Sequence, residues 1–254
     1  MRLEDKVILI TGAGGEIGSA AARYFVAQGA KVMLADINAA AVAELAGELG
    51  TENTSFVQVD VTDEASNRDM IAATVERFGR LNGFVANAGT ECQPSPIEHS
   101  DSAEFDRTMA VNVRGPYLGC KYATPALKAS GGGSIVITSS GAGVKGAAQL
   151  TAYNTSKHAV IGMMRCLALE LGPAGTRVNT INPGPIKSRM MSSIAAGFGP
   201  EASALFDDAV TAATPLGRYG LPAEMAPLMA FLLSDEASYC SGGVYMADGG
   251  NSAG

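Results

Sequence analysis

The chain has 254 residues, of which 47% are hydrophobic and only 17% charged, against roughly 25% charged in an average globular protein. That composition excludes a disordered chain and suits one large α/β domain, a class that runs to roughly 200–250 residues. Eighteen Lys and Arg against twenty-five Asp and Glu leave a formal charge of −7, a field that repels phosphate backbones and anionic headgroups, so neither nucleic acid nor a membrane is an expected partner.

Charges at Arg2, Glu4, Asp5 and Lys6 occupy the place where a secretory signal needs an apolar run, and a cytoplasmic location is expected. Cys92, Cys120, Cys166 and Cys240 are widely spaced, without a C-x-x-C, and only two histidines accompany them. Reduced, structural thiols are expected, and no metal site.

The first apolar β-branched run, 7–10, is followed by a helical pattern over 17–28, which makes one βα unit. Between them lies Thr11-Gly12-Ala13-Gly14-Gly15-Glu16-Ile17-Gly18. Glycines between a strand and a helix let backbone approach a pyrophosphate at the helix's positive end. The spacing of Gly12, Gly14 and Gly18 is not the commonest G-x-G-x-x-G fingerprint, and no G-K-[ST] follows to make a P-loop.

The second strand is expected over 31–35 and leads into Asp36, eighteen residues after Gly18. An acidic side chain at that separation meets ribose hydroxyls and repels a 2′-phosphate, and Ile37 and Asn38 supply no cation to offset the repulsion. NAD is therefore expected over NADP. A third strand over 55–60 ends at Asp60 and Val61, which would bound the adenine or begin the next helix as a cap. The fourth, 83–86, runs into Asn87-Ala88-Gly89. Placement of all these groups at successive strand ends favours one ligand lying across the sheet edge.

The fifth strand, 134–138, ends in Ser139 and Ser140, and a helix over 152–171 carries Tyr153 and Lys157 four positions apart, hence on one face. A free tyrosine titrates near 10, and lowering it by about three units requires about 4 kcal/mol of preferential phenolate stabilisation. A nearby ammonium and a positively charged nicotinamide are groups that could supply it. A sixth strand is expected over 177–181 and a seventh over 243–247. Seven strands with helical crossovers imply a single domain, 1–254, built on an open, doubly wound parallel sheet of the Rossmann type with helices on both faces. One segment, 185–215, is dense in proline and glycine and reads as a long irregular excursion; following a strand's carboxyl end, it is expected to be a substrate lid.

Taken together, the Thr11 to Gly18 turn, Asp60, Asn87-Ala88-Gly89, Asn112, Ser140 thirteen residues before Tyr153, Lys157 and Pro183-Gly184 resemble the short-chain dehydrogenases/reductases over essentially the whole chain. The resemblance implies hydride transfer between a nicotinamide cofactor and an alcohol or carbonyl group, without a metal, and with Asp36 the expectation is an NAD-dependent enzyme that interconverts a secondary alcohol and a ketone. It implies that Tyr153 is the general acid/base, that Ser140 orients the reacting oxygen, and that Lys157 holds the nicotinamide ribose and lowers the tyrosine's pKa. Asn112 would keep a water in a proton relay. Pro183, Gly184 and Ile186 would pack the nicotinamide, with Ser188 standing where the family usually has Thr.

The sequence departs from the family's T-G-x-x-x-G-x-G turn at Glu16, which replaces the middle glycine and is expected to point into solvent. The substrate pocket is expected to draw on Glu91, Gln93, Gly141, Ala142, Gln149, Leu150, Met190 and Met191. These residues are mostly small or apolar, so an uncharged alcohol or ketone is expected. The alternatives are an NADPH-dependent 3-oxoacyl-thioester reductase, which Asp36 opposes, and a non-catalytic dinucleotide-binding protein, which the intact Asn112, Ser140, Tyr153 and Lys157 oppose. The family's habit implies a homotetramer through the segments 105–128 and 153–171 and the C-terminal strand region, where 242–254 has Asp248 as its only charge.

Overall fold

The computed structural model describes residues 1–253. Seven strands form one all-parallel sheet: β1 (Val7–Thr11), β2 (Lys31–Asp36), β3 (Thr54–Gln58), β4 (Gly83–Ala86), β5 (Gly133–Thr138), β6 (Thr176–Pro183) and β7 (Val244–Ala247). Their order is β3-β2-β1-β4-β5-β6-β7. The order reverses between β1 and β4, which pair with Ile8 opposite Gly83 and Ile10 opposite Val85. Crossovers on either side of that point leave the sheet in opposite directions, and a crevice opens at the strands' carboxyl ends.

The continuous apolar runs of the central strands arise because both faces are covered. Ile8, Ile10, Val32, Leu34, Val136 and Ile181 face one way, against Ala21, Ala22 and Phe25 of α1 (Glu16–Ala27), Val42 and Leu45 of α2 (Ala39–Leu49), and the apolar helix α9 (Pro222–Leu233). Leu9, Met33, Phe84, Ile135, Ile137 and Val178 face the other, against α3 (Glu64–Phe78), α5 (Gly115–Ala129) and α6 (Thr151–Leu171). A short helix α4 (Ser102–Met109) runs into α5 through a wide π turn at Ala110–Arg114. None of the helices is long and apolar enough to cross a membrane, among the described residues.

Two expectations are corrected. The third strand stops at Gln58, because the ladder ends where Val59 N–H donates to the Asp36 carbonyl at 2.9 Å. Asp60 instead closes a side-chain turn, its Oδ1 accepting from the backbone N–H and hydroxyl of Thr62 at 2.8 and 2.7 Å, while Asp63 caps α3. The segment 185–215 is not irregular: it folds as α7 (Arg189–Gly197) and α8 (Pro200–Ala212). Its prolines and glycines punctuate rather than break helices. Ser188 caps α7, Gly199 turns the chain at φ +90°, and Pro200 opens α8, where its missing N–H costs nothing. Phe198 and Phe206 stack with ring centroids 5.9 Å apart and hold the two helices together.

Candidate active site

At the switch point, Gly12 adopts φ +67°, and a Cβ there would lie 2.8 Å from the Ala88 Cα, so only glycine lets β1 and β4 end side by side. A Cβ at Gly18 would run into the Gly12 carbonyl, so glycine also allows α1 to start directly on the turn. Asn87 staples this corner: its Nδ2 donates to the carbonyls of Thr11 and Gly12, both at 3.2 Å, and its Oδ1 accepts from the Thr138 hydroxyl. Asp36 is fixed by two backbone donors, Gly14 N–H to Oδ2 and Asn38 N–H to Oδ1, each at 2.9 Å. Each carboxylate oxygen keeps capacity for a further donor. The turn is thus a backbone-lined cradle with an oriented carboxylate at its rim, a donor and acceptor set that fits a dinucleotide.

The two serines ending β5 have different surroundings. Ser139 is buried and spends its hydroxyl on the Lys157 carbonyl at 2.9 Å. Ser140 faces the cleft, its Oγ accepting from Ala142 N–H at 3.1 Å and its carbonyl from Asn182 Nδ2 at 2.9 Å. One turn along α6, Lys157 places Nζ over the Tyr153 ring at 5.5 Å from the centroid and donates to the Thr138 carbonyl at 3.1 Å.

These positions alter the expected electrostatics. Protein surrounds the Tyr153 phenol closely enough that burial pushes it up to about 12, a rise that the neighbouring Ser140 hydroxyl only partly opposes. Burial lowers Lys157 to about 8. The expected depression of the tyrosine is therefore absent from the protein's own groups, because desolvation disfavours the phenolate more than these neighbours stabilise it.

Asn112 sits inside the π turn, 1% exposed, with Nδ2 donating to the Thr90 carbonyl and Ser156 hydroxyl and Oδ1 accepting from Thr90 N–H. A Cβ added to Gly89 would lie 3.3 Å from Asn112 Oδ1 and 3.4 Å from Lys157 Nζ, so both polar groups converge on the space that this glycine leaves.

Across the crevice, the Gly184 N–H donates to the Ala247 carbonyl at 3.1 Å, and a Cβ on Gly184 would meet the Asp248 Cα at 2.6 Å. Ile186 forms a lone bridge to Gly220. Beyond Ser188, the Arg189 guanidinium pairs with the buried Glu91, NH1 to Oε1 at 2.9 Å. Burial works to raise the Glu91 carboxyl, but Arg189 and further hydrogen bonds hold it below the usual carboxylate range. Glu16 is open to solvent, as expected, and also makes one contact across the crevice. Its Oε1 accepts from the Arg189 backbone N–H at 2.7 Å, so the glycine turn is joined to the first turn of α7.

The resulting cleft has a volume of about 480 Å³. Gly12, Glu16, Ile17, Gly18, Asn87, Ala88, Gly89, Ser140, Tyr153, Lys157, Pro183, Gly184, Ile186 and Ser188 line it, as do Gly141, Ala142, Leu150, Met190 and Met191. Gly14, Asp36, Ile37, Asp60 and Val61 lie beyond its lining, and so do Glu91, Gln93 and Gln149. Glu91 is turned to Arg189, while Gln149, at φ +66°, gives its carbonyl to Ser95 N–H at 2.9 Å. The cleft also takes in Ile194, Phe198 and Phe206 from the segment 185–215, and Lys145, Ala147, Ala148 and Asn251, which the sequence reading did not place in the pocket. Lys145 lies only five residues past Ser140, so proximity to the serine was a usable signal. Asn251 arrives by the tail folding back, for which no local pattern exists.

Residues 12–252 match a family model described as "Enoyl-(Acyl carrier protein) reductase". The chain is 38% identical to levodione reductase of Leifsonia aquatica, covering 99% of this chain and 96% of that protein. Trans-4-hydroxycyclohexanecarboxylate dehydrogenase of Sinomonas cyclohexanicum is also 38% identical, over 100% and 95%. The crystal structure of levodione reductase superposes with a TM-score of 0.93 at 36% identity, covering 99% of each chain. A 3-ketoacyl-(acyl-carrier-protein) reductase from Brucella melitensis, complexed with NADH, gives 0.90 at 33% identity over 98% and 99%. With the switch-point cradle and the Ser140, Tyr153 and Lys157 cluster, these similarities place the chain in the short-chain dehydrogenase/reductase family, as an oxidoreductase that acts on CH–OH groups with a nicotinamide dinucleotide.

Proposed function

We propose that the protein is an NAD-dependent dehydrogenase that interconverts a secondary alcohol and a ketone, with Tyr153 exchanging the proton. The observation that carries this reading is the convergence of Ser140, the Tyr153 phenol and Lys157 Nζ on one wall of the cleft. The glycine turn, Asp36, Lys157, Pro183-Gly184, Ile186 and Ser188 would hold the cofactor. When bound, it supplies or accepts the hydride and, in oxidised form, brings a positive charge.

In ketone reduction the Tyr153 hydroxyl donates its proton to the carbonyl oxygen, while the Ser140 hydroxyl hydrogen-bonds to the same oxygen and fixes its direction. A phenol raised to about 12 stays protonated at neutral pH and ready to donate. Lys157, then Asn112 and the space left by Gly89, offer a route by which a proton returns to Tyr153. Preference for NAD is supported by the Asp36 carboxylate, held against Gly14 N–H where a 2′-phosphate would be repelled. Association into a homotetramer is supported by exposed apolar side chains on α4, α5 and α6: Phe105, Tyr117 and Leu169 are 39%, 55% and 82% exposed.

The 3-oxoacyl-thioester reductase is the second reading, favoured by the likeness to the Brucella ketoacyl reductase; a preference for NADPH would sit poorly with Asp36. Assaying cyclic and open-chain secondary alcohols, ketones and a 3-oxoacyl thioester with both cofactors, at the reduced-nicotinamide absorbance band, separates the readings. The proposal expects turnover of alcohols or ketones with NAD or NADH; turnover of the thioester alone, with NADPH, would reverse it.

A further inference from the structure

The cleft contains three cations, and their circumstances differ. Lys157 is buried beneath Tyr153, and Arg189 is neutralised by Glu91. Lys145 is exposed on the cleft lining and, unlike the equally accessible Arg189, forms no ion pair among the described residues. In a chain with more acids than bases, an unpaired cation beside the catalytic wall stands out.

Neighbouring groups hold this cation in place. Asn154 Nδ2, on the same helix as Tyr153, donates to the Lys145 carbonyl at 2.8 Å. The ammonium donates to the Asn251 carbonyl at 3.1 Å and to its side-chain oxygen. Asn251 is itself fixed by donating from Nδ2 to the Ala213 carbonyl at 2.9 Å. Both acceptors on Lys145 are neutral, so its charge is oriented but uncompensated, and its third N–H has no partner in the described residues. The one acid of the tail, Asp248, uses its carboxylate on Gly250 N–H and on Ser252.

Apolar surface adjoins the cation. Ala147, Ala148 and Leu150 precede the catalytic helix, and Met191, Phe198 and Phe206 of the lid face the same cleft. Resting on the proposed alcohol and ketone chemistry, we infer that Lys145 is an anion-recognition residue: the preferred substrate pairs an apolar body with a carboxylate or similar anionic group. The body lies against the lid aromatics, the oxygen to be reduced lies at Ser140 and Tyr153, and the anion takes the free N–H of Lys145. This differs from the neutral substrate expected from sequence, which did not include Lys145 in the pocket.

Matched ketones test the inference: 4-oxocyclohexanecarboxylate and its methyl ester share a skeleton and differ by the charge. In the wild-type protein kcat/KM is expected to favour the acid by about tenfold or more, as a hydrogen bond to a charged group does. Lys145→Met should bring the acid-to-ester ratio close to one, and Lys145→Arg should keep it well above one. Because both ketones are measured on one preparation, partial misfolding cancels from the ratio. High salt should lower the wild-type ratio, since an exposed cation is screened. A wild-type ratio of one or less, or a ratio that Lys145→Met leaves unchanged, overturns the role of Lys145 and leaves the proposed reaction standing. Failure of the wild-type protein to reduce either ketone with either cofactor would count against both.

Discussion

The backbone N–H of Arg189, first in α7, donates to Glu16 Oε1 at 2.7 Å, although Glu16 belongs to the glycine turn on the other side of the crevice. One carboxylate thereby sits at the positive ends of two helices, α1 and α7, a position that stabilises negative charge. The diphosphate of the proposed cofactor would also lie at the glycine turn and would be repelled by that charge. Glu16→Gln keeps an acceptor for Arg189 and removes the charge; NADH should bind more tightly by about fivefold, in line with roughly 1 kcal/mol of partly screened repulsion. Glu16→Gly also cuts the tether and should speed NADH release relative to Glu16→Gln. Fluorescence titration and stopped-flow displacement read the two effects separately.

Gly18 has no room for a side chain, since its Cβ would meet the Gly12 carbonyl. Gly18→Ala should destabilise the protein by about 1–3 kcal/mol, the usual cost of overpacking, and weaken NADH binding more than any effect on substrate KM. A urea midpoint equal to that of the wild-type protein would contradict the packing argument.

Asp36 keeps acceptor capacity beyond its bonds to Gly14 and Asn38. On the proposed NAD preference, Asp36→Ala removes a charge that would repel a 2′-phosphate, and the ratio of kcat/KM for NAD over NADP should fall about tenfold or more, in keeping with the loss of charged hydrogen bonds. An unchanged ratio would remove Asp36 from cofactor selection.

Lys157 carries its charge only below about 8, because burial lowers its pKa. The ammonium is the form that can pass a proton toward Tyr153, and it is lost as pH rises. Ketone reduction should therefore be level below about pH 8 and fall about tenfold per pH unit above it, while alcohol oxidation should not show that fall. Reduction rates that remain level to pH 10 would contradict this role for Lys157.

The parallel sheet was legible because its buried strands are unbroken β-branched runs and helix-length segments separate them. The glycine turn, Asp36 and the Tyr153-Lys157 pair were legible because each depends on spacing along one or two adjacent elements. The helices of 185–215 were not legible because proline and glycine read equally as irregular chain and as helix boundaries, and here Ser188, Gly199 and Pro200 stand at the boundaries. The link of Glu16 to Arg189, separated by 173 positions, and that of Lys145 to Asn251, separated by 106, depend on elements meeting across the crevice. Nor did spacing reveal that burial raises Tyr153 rather than lowering it, since desolvation depends on everything packed around the phenol.

The proton transfer proposed for Tyr153 is central to the reaction, and Tyr153→Phe tests it with the loss of one oxygen. Turnover of a secondary alcohol or ketone should fall by about 10²–10⁴-fold, the range of a lost acid/base group, while the NADH Kd stays within a few-fold of the wild-type value. Turnover close to wild type with NADH binding intact would contradict the assignment.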